Sequence, residues 1–267
     1  MSLRGGWSDL MHAPLHDFPL RDEILHQFMP LTSGSEVLEI GPGSGFTACR
    51  LARLVRRLTV VDVAEAAVEA LRKDLSGLEN VHCVRADATQ TEFKRLTGCN
   101  FDAAFALDVF EYVTDPAACL DNLANSLRPG GQLLLSYPNV PPPVGDGVTY
   151  FDRAADLELL LAKAGFSEWE IGEVRLRPWA AAVYHALHER PMALYRGLGA
   201  RKRPERPQTY EETWAFSHRR RLIRYKLPVH LAWWGLDRIM RLGGQFFSYS
   251  RVGDDIRGHQ LVIRAWR

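Results

Sequence analysis

Cysteine is scarce in this chain: four residues in 267, Cys49, Cys83, Cys99 and Cys119, with no C-x-x-C pair among them. That excludes a disulfide scaffold and leaves buried free thiols in a reducing compartment as the expectation. No run approaches the 18 apolar residues of a membrane span, and the first residues lack the charged-then-apolar pattern of a secretory signal, so a cytoplasmic location is expected. Internal repeats and low-complexity tracts are missing. No RNA-binding module is recognisable and the basic runs are short, which argues against nucleic acid as a partner. What remains is ordinary for a globular protein, with 46% hydrophobic and 24% charged residues. The length allows one large domain, or one domain with an elaboration.

A formal net charge of +1 conceals an imbalance. From Arg175 onward there are 19 basic and 7 acidic residues, a net of +12; the preceding stretch holds 14 basic and 25 acidic residues, a net of −11. The C-terminal third either meets an anionic partner, such as a phosphorylated substrate or a membrane surface, or is neutralised by the acidic part within the fold.

The richest local signal is Val37-Leu38-Glu39-Ile40-Gly41-Pro42-Gly43-Ser44-Gly45. An apolar strand ends in a glycine turn that leads into a helix-forming stretch. Twenty-one positions after Gly41, Asp62 closes a second apolar run, Leu58-Thr59-Val60-Val61. A carboxylate at about that spacing is where a nucleotide-binding α/β fold meets ribose hydroxyls. A dinucleotide fingerprint is G-x-G-x-x-G, whereas here Phe46 stands at the third glycine position and the spacing is G-x-G-x-G. A Y-x-x-x-K pair, which a nicotinamide-dependent oxidoreductase would favour, is also missing.

The turn resembles the first motif, E-x-G-x-G-x-G, of the class I S-adenosylmethionine (SAM) dependent methyltransferases, matched by Glu39, Gly41, Gly43 and Gly45. Later motifs follow in register. Asp87-Ala88 ends a third strand, and Phe101 to Leu107 forms a fourth. Val109 to Pro116 is similar to that family's LEHVxDP segment, with Tyr112 in place of His. Leu127-Arg128-Pro129-Gly130-Gly131 is similar to its LKPGG turn, and Ala164-Gly165-Phe166 to its AGF turn. The likeness extends to the branch of ubiquinone-type O-methyltransferases. It implies SAM as cofactor and a doubly wound, Rossmann-like α/β fold. The expected sheet is mostly parallel and seven-stranded in the order 3-2-1-4-5-7-6, with the last strand antiparallel. By the same resemblance, the cofactor is expected at Glu39, Gly41, Gly43, Gly45, Asp62, Val63, Asp87, Ala88 and the Leu107 carbonyl.

The chain then divides into a helical lead-in over 1–34, a cofactor core over 35–175 plus 258–267, and a basic, aromatic-rich insertion over 176–257. Within the insertion, 178–197 and 228–243 read as helices. The insertion is expected to be a lid over the crevice, an interfacial membrane element, or an aromatic stripe packed on the core. The proline-rich loop after the fifth strand lies at the ligand-facing edge, which makes Tyr137, Asn139, Tyr150 and Phe151 candidate substrate contacts.

Methyl transfer to oxygen needs a positioned base, for which Asp108, Glu111 and His185 (with His188 three residues on) are the candidates. The E-x-x-E-H pattern that some relatives link to a divalent metal lacks its histidine here, so no metal is expected. The acceptor is expected to be a small molecule, glycan or lipid-linked compound, possibly anionic in character. A non-catalytic SAM-binding regulator is the alternative, and a NAD-dependent oxidoreductase a disfavoured third.

Overall fold

The computed structural model describes residues 24–43, 45–98, 100–138, 151, 153–179, 247–254, 256 and 260–267. Strands alternate with helices through the first half: β1 (Glu36–Ile40), α1 (Phe46–Leu51), β2 (Arg57–Asp62), α2 (Glu65–Asp74), β3 (Val81–Arg85), α3 (Phe93–Thr97), β4 (Phe101–Leu107), α4 (Pro116–Ser126) and β5 (Leu127–Pro138). Then come α5 (Ala154–Lys163), β6 (Glu168–Leu176), β7 (Phe247–Arg251) and β8 (Gln260–Trp266). All pair into one sheet in the order β3-β2-β1-β4-β5-β8-β6-β7.

β1 runs parallel to both β2 and β4, so the chain winds outward in two directions from it. That reversal opens a crevice at the carboxyl ends of β1 and β4, the place where such sheets bind ligands. β8 lies antiparallel between β5 and β6, as expected. The sheet has an eighth strand that the sequence reading missed. Phe247–Arg251, within the stretch assigned to the insertion, pairs antiparallel with β6. Gly172 makes room for it: a Cβ there would sit 2.0 Å from the Tyr249 ring. The two expected helices over 178–197 and 228–243 lie outside the described residues, apart from two helical positions at 178–179.

Alternate residues of each inner strand feed opposite faces. Val37, Leu58, Val60, Ala103, Phe105 and Leu134 point to one side, where residues 24–28, α1 and the end of α2 cover them. Leu38, Ile40, Val61, Ala104, Ala106, Leu133 and Leu135 point to the other, under α4 and α5. Strands apolar on both sides are what a sheet covered on both faces requires. Asp115 caps α4, its Oδ1 accepting from the Ala118 amide at 3.0 Å, with Pro116 in the first turn.

The Arg128-Pro129-Gly130-Gly131 turn sits inside β5 as an irregularity. Phe101 faces Leu127 but Ala103 already faces Gln132, and the Gly130 amide donates to the Arg267 carbonyl at 2.7 Å. The helical lead-in is tied to the sheet through Gln132 Nε2, which donates to the Phe28 carbonyl at 2.7 Å. Its residues before 24 lie outside the described ones. The thiols differ from expectation: Cys119 is buried, and that burial pushes its pKa up to about 12, but Cys49 is exposed and Cys83 half-buried. Cys49 follows from its place on the outward side of the short α1.

Candidate cofactor and active site

The three glycines of the first turn all have left-handed φ: +64° at Gly41, +56° at Gly43 and +72° at Gly45. Their missing Cβ atoms serve different ends. At Gly41 the space is filled by Val109, whose Cγ2 would lie 2.4 Å from a Cβ. At Gly45 it is filled by Leu71 of α2, at 2.5 Å. At Gly43 no atom of the described residues lies within 4 Å. Gly41 and Gly45 therefore let protein pack against the turn, and Gly43 presents bare main chain to an open space. The turn is anchored by the Gly41 amide, which donates to the Val61 carbonyl at 2.8 Å.

That bond places Asp62, the last residue of β2, beside the turn. Asp62 is 3% exposed. Its Oδ1 accepts from the Ala64 amide at 2.9 Å, while Oδ2 is buried with no hydrogen-bond partner among the described residues. Burial raises its pKa, and the backbone amides of Ala64 and Val63 oppose that rise. A buried carboxylate oxygen without a donor is a costly feature to keep, and it fits a group that brings hydroxyl donors. Val63, next in sequence, is 46% exposed, an apolar surface beside that carboxylate.

The strand ends line up across this edge. The Ala86 amide donates to the Asp62 carbonyl at 3.1 Å, which brings Asp87 and Ala88 alongside. Asp87 Oδ1 is already engaged with the Thr89 amide and hydroxyl, both at 2.8 Å, and the Ala88 carbonyl accepts from Asn122 Nδ2 at 2.9 Å. Glu39 is buried within β1, paired in register with Val60 and Phe105. Leu107 ends β4 opposite Ser136.

Asp108 is the one non-glycine residue with positive φ among those described, at +56°. Its amide donates to the Ser136 carbonyl at 2.6 Å. Its Oδ1 accepts from Gln260 Nε2 at 2.7 Å and lies 3.5 Å from Ser136 Oγ. Glu111 is 4% exposed, in a 3₁₀ turn over Phe110–Tyr112 that follows β4. Phe151, expected at the substrate, is buried in the apolar cluster under α4 and α5. Its partner residues Asn139 and Tyr150 lie outside the described residues, as do His185 and His188, and of Tyr137 only the backbone in β5 is described.

Sequence reasoning brought Asp62 and the glycine turn together correctly and missed Gln260, Ser136, Val109 and Leu71. Val109 opens the LEHVxDP-like segment but nothing there marks its contact with Gly41, and the other three carry no local motif; each acts through a contact made only in the fold.

Known proteins match the same features. The methyltransferase-domain family matches residues 38–135. A ubiquinone biosynthesis O-methyltransferase from Xylella fastidiosa (strain 9a5c) is 30% identical over 198 residues, 65% of this chain and 78% of that protein. In structure, the chain resembles a Haemonchus contortus phosphoethanolamine N-methyltransferase 2 solved with phosphomonomethylethanolamine and S-adenosylhomocysteine. There the TM-score is 0.58 and the identity 15%, over 94% of this chain and 52% of the other. It also resembles a SAM-dependent methyltransferase from Thermotoga maritima described as a possible histamine N-methyltransferase, with a TM-score of 0.53 and 16% identity over 98% and 96% of the two chains. The two structural likenesses speak for the fold, and the 30% relative for the family. This chain belongs to the S-adenosylmethionine-dependent methyltransferases, and S-adenosylmethionine is its cofactor.

Proposed function

We propose that the protein moves the methyl group of SAM to an oxygen of a small acceptor, through a site at the carboxyl edge of β1, β2 and β4. The observation that carries the cofactor half is Asp62: one oxygen held by Ala64, the other buried without a donor, one strand over from the open face of Gly43. SAM, when bound, supplies an electrophilic methyl on a sulfonium, and the protein's share is positioning and exclusion of water. In this reading Asp62 accepts from the ribose hydroxyls and Val63 flanks the adenine, which Asp87 and Ala88 address. The Gly43 main chain and the Leu107 carbonyl receive the methionine end, and Glu39, Gly41 and Gly45 shape the turn that presents them.

Oxygen as the acceptor atom is supported by the 30%-identical relative, which is named an O-methyltransferase of ubiquinone biosynthesis. A hydroxylated aromatic ring carrying a lipid tail is the acceptor class this favours. The net charge of +12 from Arg175 onward supports an anionic acceptor or a membrane surface nearby; in this reading the acceptor is bound by 176–257 with the loop around Tyr137, Asn139 and Tyr150. No helix among the described residues is long and apolar enough to cross a membrane. For the base, Glu111 and Asp108 follow the end of β4 directly, and His185 is the third candidate.

Calorimetry with SAM and with NAD, followed by transfer of labelled methyl from SAM to a polyprenyl catechol, tests both halves. Binding of SAM but not NAD, with label in the catechol ether, is the expected result. SAM binding without transfer to the catechol or to any component of a cell extract would move the reading to a SAM-binding regulator. No binding of SAM would remove it.

A further inference from the structure

We infer that Gln260 is a positioning residue for the cofactor site, acting through Asp108; this rests on the site placed above at the carboxyl edge of β4. Asp108 holds a left-handed backbone, φ +56°, that a non-glycine residue adopts at a cost, and such a conformation persists only when its surroundings over-determine it. Among the described residues, these contacts contribute. The Asp108 amide donates to the Ser136 carbonyl at 2.6 Å, Ser136 Oγ lies 3.5 Å from Asp108 Oδ1, and Gln260 Nε2 donates to the same oxygen at 2.7 Å. Two of the three come from β5, the immediate neighbour of β4. The third comes from the first residue of β8, 152 positions away in sequence, and is the shorter of the two side-chain contacts.

The location gives this bond its consequence. Asp108 directly follows Leu107, and Val109 directly follows Asp108 and fills the space that Gly41 leaves. Rotation at Asp108 would therefore move the Leu107 carbonyl and lift Val109 off the glycine turn together. Gln260 is half-buried and its amide is neutral, so it fixes the carboxylate without adding charge to the edge. β8 thereby reaches past β5 to set the geometry of the site.

The test is calorimetry of S-adenosylhomocysteine binding to the full chain, paired with thermal unfolding. Gln260→Ala is expected to weaken binding roughly five- to tenfold, the net size of one ordinary hydrogen bond felt at the site, with the melting temperature within about 2 °C of the parent. Gln260→Glu, which sets carboxylate against carboxylate, is expected to weaken it further. The exchange D108N with Q260E re-forms the bond with donor and acceptor reversed and the charge count unchanged. It is expected to bind at least roughly fivefold more tightly than Q260E alone. Binding by Gln260→Ala within twofold of the parent, or an exchange no better than Q260E, would overturn the inference. So would a loss of affinity accompanied by a matching loss of stability, which marks a structural role. Asp62→Ala run alongside separates the cases: if it weakens binding and the Gln260 variants do not, only the role of Gln260 falls. If neither affects binding, the placement of the cofactor falls too.

Discussion

The two edges of the sheet treat their carboxylates in opposite ways. At the amino edge, Glu36 is buried but fully engaged: Oε1 accepts from Arg56 at 2.5 Å and Oε2 from Arg128 at 2.9 Å. Arg128 also pairs with Asp102, whose second oxygen accepts from the Glu36 amide at 2.7 Å. Asn80 closes the same edge by donating to the carbonyls of Ala52 and Val55. At the carboxyl edge Asp62 is as deeply buried, yet one of its oxygens has no donor among the described residues. The Glu36 carboxylate is completed by the chain's own donors, whereas Asp62 keeps one oxygen without a donor among the described residues, at the edge proposed to take the cofactor.

Substitutions can break that contrast. The largest effect is expected from Gly41→Ala, since a Cβ would strike Val109 in a left-handed backbone; a loss of about 3 kcal/mol should appear in denaturant unfolding. Gly43→Ala, with the same φ region but open space, should lose about 1 kcal/mol of stability and disproportionately more SAM affinity. Glu36→Ala should cost about 2 kcal/mol and leave SAM affinity within about twofold, because it opens only the amino edge; the arginines it strands are partly exposed, which limits the loss.

Asp62→Ala should do the reverse, weakening SAM binding by at least about tenfold, or ~1.4 kcal/mol, with little change in stability. Unchanged affinity would remove Asp62 from the site. The smallest effect concerns pH. Burial raises the Asp62 pKa above its unfolded value, so its contribution favours the folded apoprotein below the ordinary carboxylate range and is lost as pH rises through the raised value. Asp62→Asn should flatten that part of the stability profile. It should also leave the apoprotein slightly more stable near neutral pH, by less than about 1 kcal/mol.

Much of the fold, and the Asp62 side of this contrast, is legible in the sequence; the amino-edge network is not, because its partners meet only in the fold. β1, β2, β4 and β5 announce themselves because each is apolar on both faces and stops at Gly, Asp or Pro, and the 21-residue step from Gly41 to Asp62 follows from one βαβ turn. β7 was not legible. Phe247-Ser248-Tyr249-Ser250-Arg251 is one of several aromatic stretches, and what makes it a strand is a seat on Gly172 some 75 residues earlier. The glycine motif predicts three cofactor contacts, and the sequence does not show that the space beside Gly41 and Gly45 is filled by Val109 and Leu71 while that beside Gly43 is open. Phe151 shows the same limit, since an aromatic residue near a ligand-facing loop and one in the core look alike in sequence. Gln260 has no motif at all; its role exists only because β8 returns beside β5.

That return has a consequence for how the protein is made. β6 precedes β8 in the chain, yet it meets β5 only by way of β8, bonded to one along Gln132–Pro138 and to the other along Glu168–Glu173. While a ribosome is still working on the residues between them, β6 has no hydrogen-bonding place beside β5 in the growing sheet. The slot between β5 and β6 fills only once Gln260–Trp266 emerges, so the order of synthesis and the order of assembly run differently, and a nascent chain stalled before that point is a natural client for a chaperone.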